Sequence, residues 1–161
     1  MKQPSTLPDF ADPPVIETVL GVEFAPLNDL DVLKIGLFWD TIRQDYPSYK
    51  IMPALGSRAL AGAASETSSP PQIEFLAHLP IRCWFMDASQ VRLIQVQNDR
   101  FIHNWRKVGS TETYPHYETI RPIFEREWSR FIEFLAGQGV PPPQIRECEI
   151  SYVNHVEKGK G

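Results

Sequence analysis

Residues 91–118, VRLIQVQNDRFIHNWRKVGSTETYPHYE, decide how this chain folds, because two strand-like runs flank Asn98-Asp99. Both turn residues tolerate positive φ, which predicts a two-residue hairpin turn and with it a fixed register. That register sets Gln97 against Arg100, Val96 against Phe101, Gln95 against Ile102, Ile94 against His103, Leu93 against Asn104 and Arg92 against Trp105. One face collects Val96, Phe101, Ile94, His103, Arg92 and Trp105 and reads as core. The other carries Gln97, Arg100, Gln95, Ile102, Leu93, Asn104, Val91 and Arg106. It is half polar and suits a ligand or a partner.

Upstream, Pro14 to Phe24 is a strand candidate with Ile16, Thr18, Leu20, Val22 and Phe24 on one face and Val15, Glu17, Val19 and Glu23 on the other. Asn28 suits a helix N-cap, with Asp29 and Asp31 in the first turn where the helix dipole favours negative charge. Leu30, Leu33, Leu37, Phe38 and Ile42 recur at helical spacing, and Tyr46-Pro47 ends that helix. Small residues and bounding prolines mark 53–71 as a mobile loop. Gln72 to His78 and Ile81 to Met86 read as strands, and Asp87 to Gln90 turns into the hairpin. Downstream, a helical region opens at Tyr114-Pro115. Its apolar stripe is Tyr117, Ile120, Phe124, Trp128, Phe131 and Leu135, with Pro122 kinking it or starting it afresh. Ile145 to Val153 is a last strand. The order β-α-β-β-β-β-α-β predicts an α+β fold, a mainly antiparallel sheet with both helices on one face. Residues 1–13 are a flexible lead, 14–156 one domain and 157–161 a disordered tail.

With 161 residues and a formal net charge of −4, the chain has an ordinary globular composition. The first fifty residues hold eight acids against four bases, which disfavours general nucleic-acid binding. Cys83 and Cys148 lie far apart, without CxxC, and read as reduced core residues. No signal-peptide pattern or membrane-length apolar run is present, so a cytoplasmic, non-membrane protein is expected.

His103, Asn104, Trp105 and Arg106, followed by Tyr114, His116, Tyr117 and Glu118, supply the ingredients of metal-independent acid/base chemistry. Strand alternation, however, turns His103 and Trp105 toward the core and Asn104 and Arg106 away from it. A hydrogen-bonded core role for His103 and a surface role for His116 are the plainer expectations. Arg92 opposite Trp105 predicts a cation–π contact worth ~0.5–1 kcal/mol. Glu118 one turn before Arg121 predicts a local ion pair. The four histidines show no metal-ligand spacing, no GxSxG occurs, and the glycine-rich pieces match no phosphate loop, so neither a metal nor a cofactor is expected.

The motifs PPVIETVLGVEF, RLIQVQNDRFIHNWRK, YPHYETIRPIFEREWSRF and CEISYVNHV resemble those of a sporadically distributed, uncharacterised bacterial protein family over most of residues 13–156. The resemblance brings no catalytic residue or cofactor with it. A patchy distribution implies mobile-element or defence neighbourhoods, and members continue past the YVNH segment, so this chain is expected to be a short member or a fragment.

The expectation from the sequence is a binding domain that self-associates or takes a protein partner, using Gln95, Arg100, Asn104 and Arg106 on the half-polar hairpin face. One alternative is a metal-independent hydrolase or nuclease using His103 or His116 with Arg106 and Glu118. Another is a small-ligand-binding domain with the long helix closing over the sheet.

Overall fold

The structure, a computed structural model, describes residues 13–56, 81–109, 112–156 and 159. Its elements are β1 (Val15–Phe24), α1 (Val32–Ile42), β2 (Ser48–Pro53), β3 (Ile81–Met86), β4 (Arg92–Gln97), β5 (Arg100–Arg106), α2 (Tyr117–Gly137) and β6 (Ile145–Asn154). The six strands form one sheet in the order β2-β3-β4-β5-β1-β6, every neighbouring pair antiparallel. The expected α+β class and element order are those found, with both helices packed on one face.

All six expected hairpin pairs of β4 and β5 are present, from Gln97 with Arg100 to Arg92 with Trp105. The two-residue turn is the one expected, although neither Asn98 nor Asp99 adopts the positive φ that both tolerate. Tertiary bonds hold it: Leu27 N donates to Asn98 O (2.8 Å), Phe24 N donates to Asp99 O (2.9 Å), and Gln97 Nε2 donates to Asp99 Oδ1 (2.8 Å). Alternation then does the sorting, because successive strand side chains leave opposite faces.

On the helix side, Val22, Phe24, Cys83, Phe85, Ile94, Val96 and Phe101 meet Ile35, Phe38 and Ile42 of α1 and Phe131 and Leu135 of α2. Phe38 packs edge-on against Phe131 at 5.2 Å, and Phe101 stacks on Phe131 at 5.1 Å. A second cluster of Leu20, Trp105 and Ile120 continues the core toward the start of α2.

Several local expectations are corrected. The cap of α1 is Asp31, whose carboxylate accepts from Lys34 N (2.9 Å), and not Asn28. With the start moved, Ile35, Phe38 and Ile42 face the core while Leu33 and Leu37 face solvent. The helix ends at Ile42 with Arg43 as its C-cap, ahead of the expected stop at Tyr46-Pro47, and residues 48–53 form β2, a strand the sequence reading did not assign. The expected strand Gln72 to His78 and most of the expected loop 53–71 lie outside the described residues. The second helix begins at Tyr117 and runs unbroken through Pro122, so Pro122 marks no second start. Cys83 is buried as expected, whereas Cys148 is exposed on β6. Among the described residues no helix is long and apolar enough to cross a membrane.

Candidate functional site

Two polar clusters sit back to back across the sheet. On the helix side, strand alternation aims His103 of β5 at α2. There its Nδ1 lies 2.6 Å from Glu127 Oε2, and the other carboxylate oxygen accepts from the Tyr46 hydroxyl. His103 is 1 % exposed and Glu127 2 %. Tyr46 is held in place by its own backbone, since Trp39 Nε1 donates to Tyr46 O (2.9 Å). Next to it, Arg130 of α2 reaches Asp45 Oδ2 (2.8 Å) and Thr41 O (2.7 Å), tying the two helices together. Burial first, and the Glu127 carboxylate second, push the Tyr46 phenol far above the ordinary tyrosine range.

Arg92 borders this cluster. Its guanidinium lies 5.7 Å from the Tyr46 ring centroid, and its Nε pairs with Asp87 Oδ2 at 3.1 Å. The expected contact with Trp105 is therefore replaced, although the two remain register partners. Burial weakens the Arg92 cation, but Asp87, Tyr46 and Glu127 together outweigh it and hold the guanidinium above its usual value.

The opposite face carries a relay of side chains across four strands. Arg82 Nη1 donates to Gln95 Oε1 (2.9 Å), Gln95 Nε2 to Asn104 Oδ1 (2.7 Å), and Asn104 Nδ2 to Glu17 Oε1 (2.7 Å). Gln97 grips the backbone of Leu55, accepting from its N–H at 2.9 Å and donating to its carbonyl at 3.2 Å. Beside this relay, Arg82 and Arg106 both lie over the Trp84 indole, at 5.4 and 5.8 Å from its centroid. Three N–H donors of this group, Arg82 Nε, Trp84 Nε1 and Arg106 Nε, are buried and meet no acceptor among the described residues. Nearby acids are otherwise engaged, since Arg100 takes Asp99 (3.1 Å) and Glu23 (3.6 Å). Desolvation, and then the Arg100 charge, lower the Arg82 pKa below the usual guanidinium value.

The four residues expected on this face thus divide. Gln95 and Asn104 are buried in the relay, Arg100 is half-buried and ion-paired, and Arg106 joins the Arg82–Trp84 group. The expected catalytic constellation is not assembled: His103 and Arg106 face opposite sides of the sheet, and His116 and Glu118 are exposed. Arg121 pairs with Glu125 (2.7 Å) instead of Glu118. His116 stands at the N-cap of α2 with φ 63° and ψ 156°, a region nearly reserved for glycine.

Sequence reasoning missed Tyr46, Glu127, Arg82 and Trp84. Glu127 had a readable signal, because it falls between Phe124 and Phe131 at the spacing of the buried stripe. Among the described residues no group of three or more His, Cys, Asp or Glu is placed to hold a metal ion. No family model, no curated protein and no solved structure matches the chain.

Proposed function

We propose that this domain binds a small ligand through an oxyanion, a carboxylate or phosphate, seated against Arg82, Trp84 and Arg106 on the sheet face away from the helices. One observation carries the reading: three buried N–H donors at a single indole lack an acceptor among the described residues. A buried donor without a partner costs about 1–3 kcal/mol, and native structures seldom leave several together. An oxyanion seated there would offer acceptors to these donors and neutralise two guanidiniums, one of them, Arg82, destabilised by burial and then by the Arg100 charge. Gln95 and Asn104 then serve to hold Arg82 in place.

The test is calorimetric titration of the protein with inorganic phosphate and with citrate, followed in parallel by the indole N–H resonances. Saturable binding that shifts one indole resonance is expected. Trp84→Phe should remove that resonance and weaken binding, and Arg106→Gln should weaken it roughly tenfold or more, as for loss of a charge-assisted hydrogen bond. Absence of saturation with either anion, or wild-type affinity in both variants, would overturn the reading.

A second reading rests on the 2.6 Å contact of His103 with Glu127, a pairing that in an open site orients an imidazole for acid/base work. Closure of the cluster by α2 makes it subordinate, because a substrate would have to displace the helix. A hydrolytic activity abolished by His103→Ala in a protein with unchanged circular dichroism would reverse the order of the two.

A further inference from the structure

We infer that β6 is the contact edge of a symmetric dimer, pairing antiparallel with β6 of a second copy about a two-fold axis through Ile150. The two ends of the sheet are unlike. β2 is short, carries Lys50 and ends in Pro53, features that discourage edge pairing. β6 is longer, contains no proline or glycine, has only β1 beside it among the described residues, and confines its charges, Arg146, Glu147 and Glu149, and its own register irregularity to its first half. On its helix-side row Ile150 is 51 % exposed and Tyr152 46 %. Beside that row a groove of about 350 Å³ separates β6 from α2, lined by Leu20, Phe124, Cys148 and Ile150 with Arg121 and Glu125 at its rim. An isolated edge of this kind presents both main-chain groups and apolar side chains to a strand.

The pattern of β6 suits a second copy as that strand, because a symmetric register exists that keeps its acids apart. Antiparallel pairing in one continuous sheet keeps facing residues on the same side, so a two-fold axis must pass through a residue and cannot fall between two. An axis at Cys148 would set Glu147 against Glu149, and one at Glu149 would set Glu149 against itself; like charges directly opposed are destabilising. An axis at Ile150 places Glu149 opposite Ser151, Glu147 opposite Val153 and Cys148 opposite Tyr152, with Ile150 meeting its own copy. Moving on to Ser151 also separates the acids but shortens the overlap. The Ile150 register therefore joins the longest pairing to an apolar centre, and it brings the two α2 grooves together on one side of a twelve-stranded sheet.

The test uses the full chain. Light scattering and sedimentation at micromolar concentration should give twice the chain mass, and Ile150→Lys should give a monomer whose thermal midpoint is close to that of the wild-type chain at high dilution. A wild-type monomer across dilutions, or a dimer that survives Ile150→Lys, would overturn the proposal. Register is read separately by oxidation with glutathione disulfide, each new cross-link releasing two reduced glutathiones. Tyr152→Cys should cross-link to Cys148 of the other copy, since within one strand these positions lie about 13 Å apart, beyond disulfide reach. Cross-linking by Asn154→Cys, or by Cys148 alone, in place of Tyr152→Cys would overturn the Ile150 axis.

Discussion

On the helix side of β5, His103 and Tyr46 share one carboxylate, Glu127, within a shell of aromatic rings. One residue further along the same strand, Asn104 belongs to a face where Arg82, Trp84 and Arg106 crowd together with donors unspent. Alternation alone separates the two environments, yet they are built to different standards. The ionisable groups of the helix side have partners, with the Thr18 hydroxyl the exception among its buried atoms. Across the sheet, Arg100 is paired with Asp99 and Glu23, and Glu17 is taken by Asn104, while Arg82 and Arg106 gather over Trp84. Partnered polar groups mark the first face, and donors without an acceptor among the described residues mark the second.

The largest effect that would break this contrast concerns the core. Phe101→Ala removes a ring touching Phe38, Phe124, Trp128 and Phe131 and should cost ~3–5 kcal/mol in denaturant unfolding. A loss under 1 kcal/mol would mean that the helices are not seated on the sheet as described. Next comes Glu127→Gln. Its amide oxygen can still accept from Tyr46, but its N–H must face His103 Nδ1 and force the other tautomer; loss of the charge-assisted bonds should cost about 1–3 kcal/mol. An unchanged midpoint would show that the carboxylate does not join the two side chains.

Tyr46 gives a pH signature. A phenol raised in the folded state stabilises fully below the ordinary tyrosine pKa of about 10 and loses that contribution as pH climbs above it. Thermal midpoints should therefore fall from pH 9 to 11 more steeply in wild type than in Tyr46→Phe, and parallel curves would contradict the burial of the hydroxyl. The smallest expected effect is on the other face. Arg106→Met removes a cation whose Nε has no acceptor among the described residues but whose Nη2 donates to Gln90 O (3.0 Å) and which lies over Trp84, so stability should fall by no more than about 1 kcal/mol, while anion binding weakens. A large destabilisation would place Arg106 among the structural residues and remove the contrast.

Much of this was legible beforehand, for reasons specific to each element. The β4–β5 register could be read because a period of two leaves one arrangement that buries Ile94, Val96 and Phe101 together. Its polar side was legible as a set of residues but not as a network, since hydrogen-bond partners on β3 and β1 depend on sheet order. Arg82 and Trp84 alternate with Cys83 and Phe85, which predicts their face but not that Arg106 would reach them. Glu127 was hidden by its surroundings: in EREW it looks like one more surface charge, and only its place on the stripe betrays burial. The start of α1 was misplaced because Asn28 and Asp31 are both good caps, and the choice between them is made by which leucines the core can accept.

The position of β1 has a consequence for how the chain reaches this state. The first strand made lies between β5 and β6, the last two, so that Val22 pairs with both Phe101 and Cys148. Local hairpins can close as they emerge, but β1 must keep its apolar row waiting until β5 and then β6 have been made. Folding should then be a late, single closure around β1. During synthesis the vulnerable segment is the N-terminal strand, so a chaperone bound to the nascent chain would be expected at Val15–Phe24.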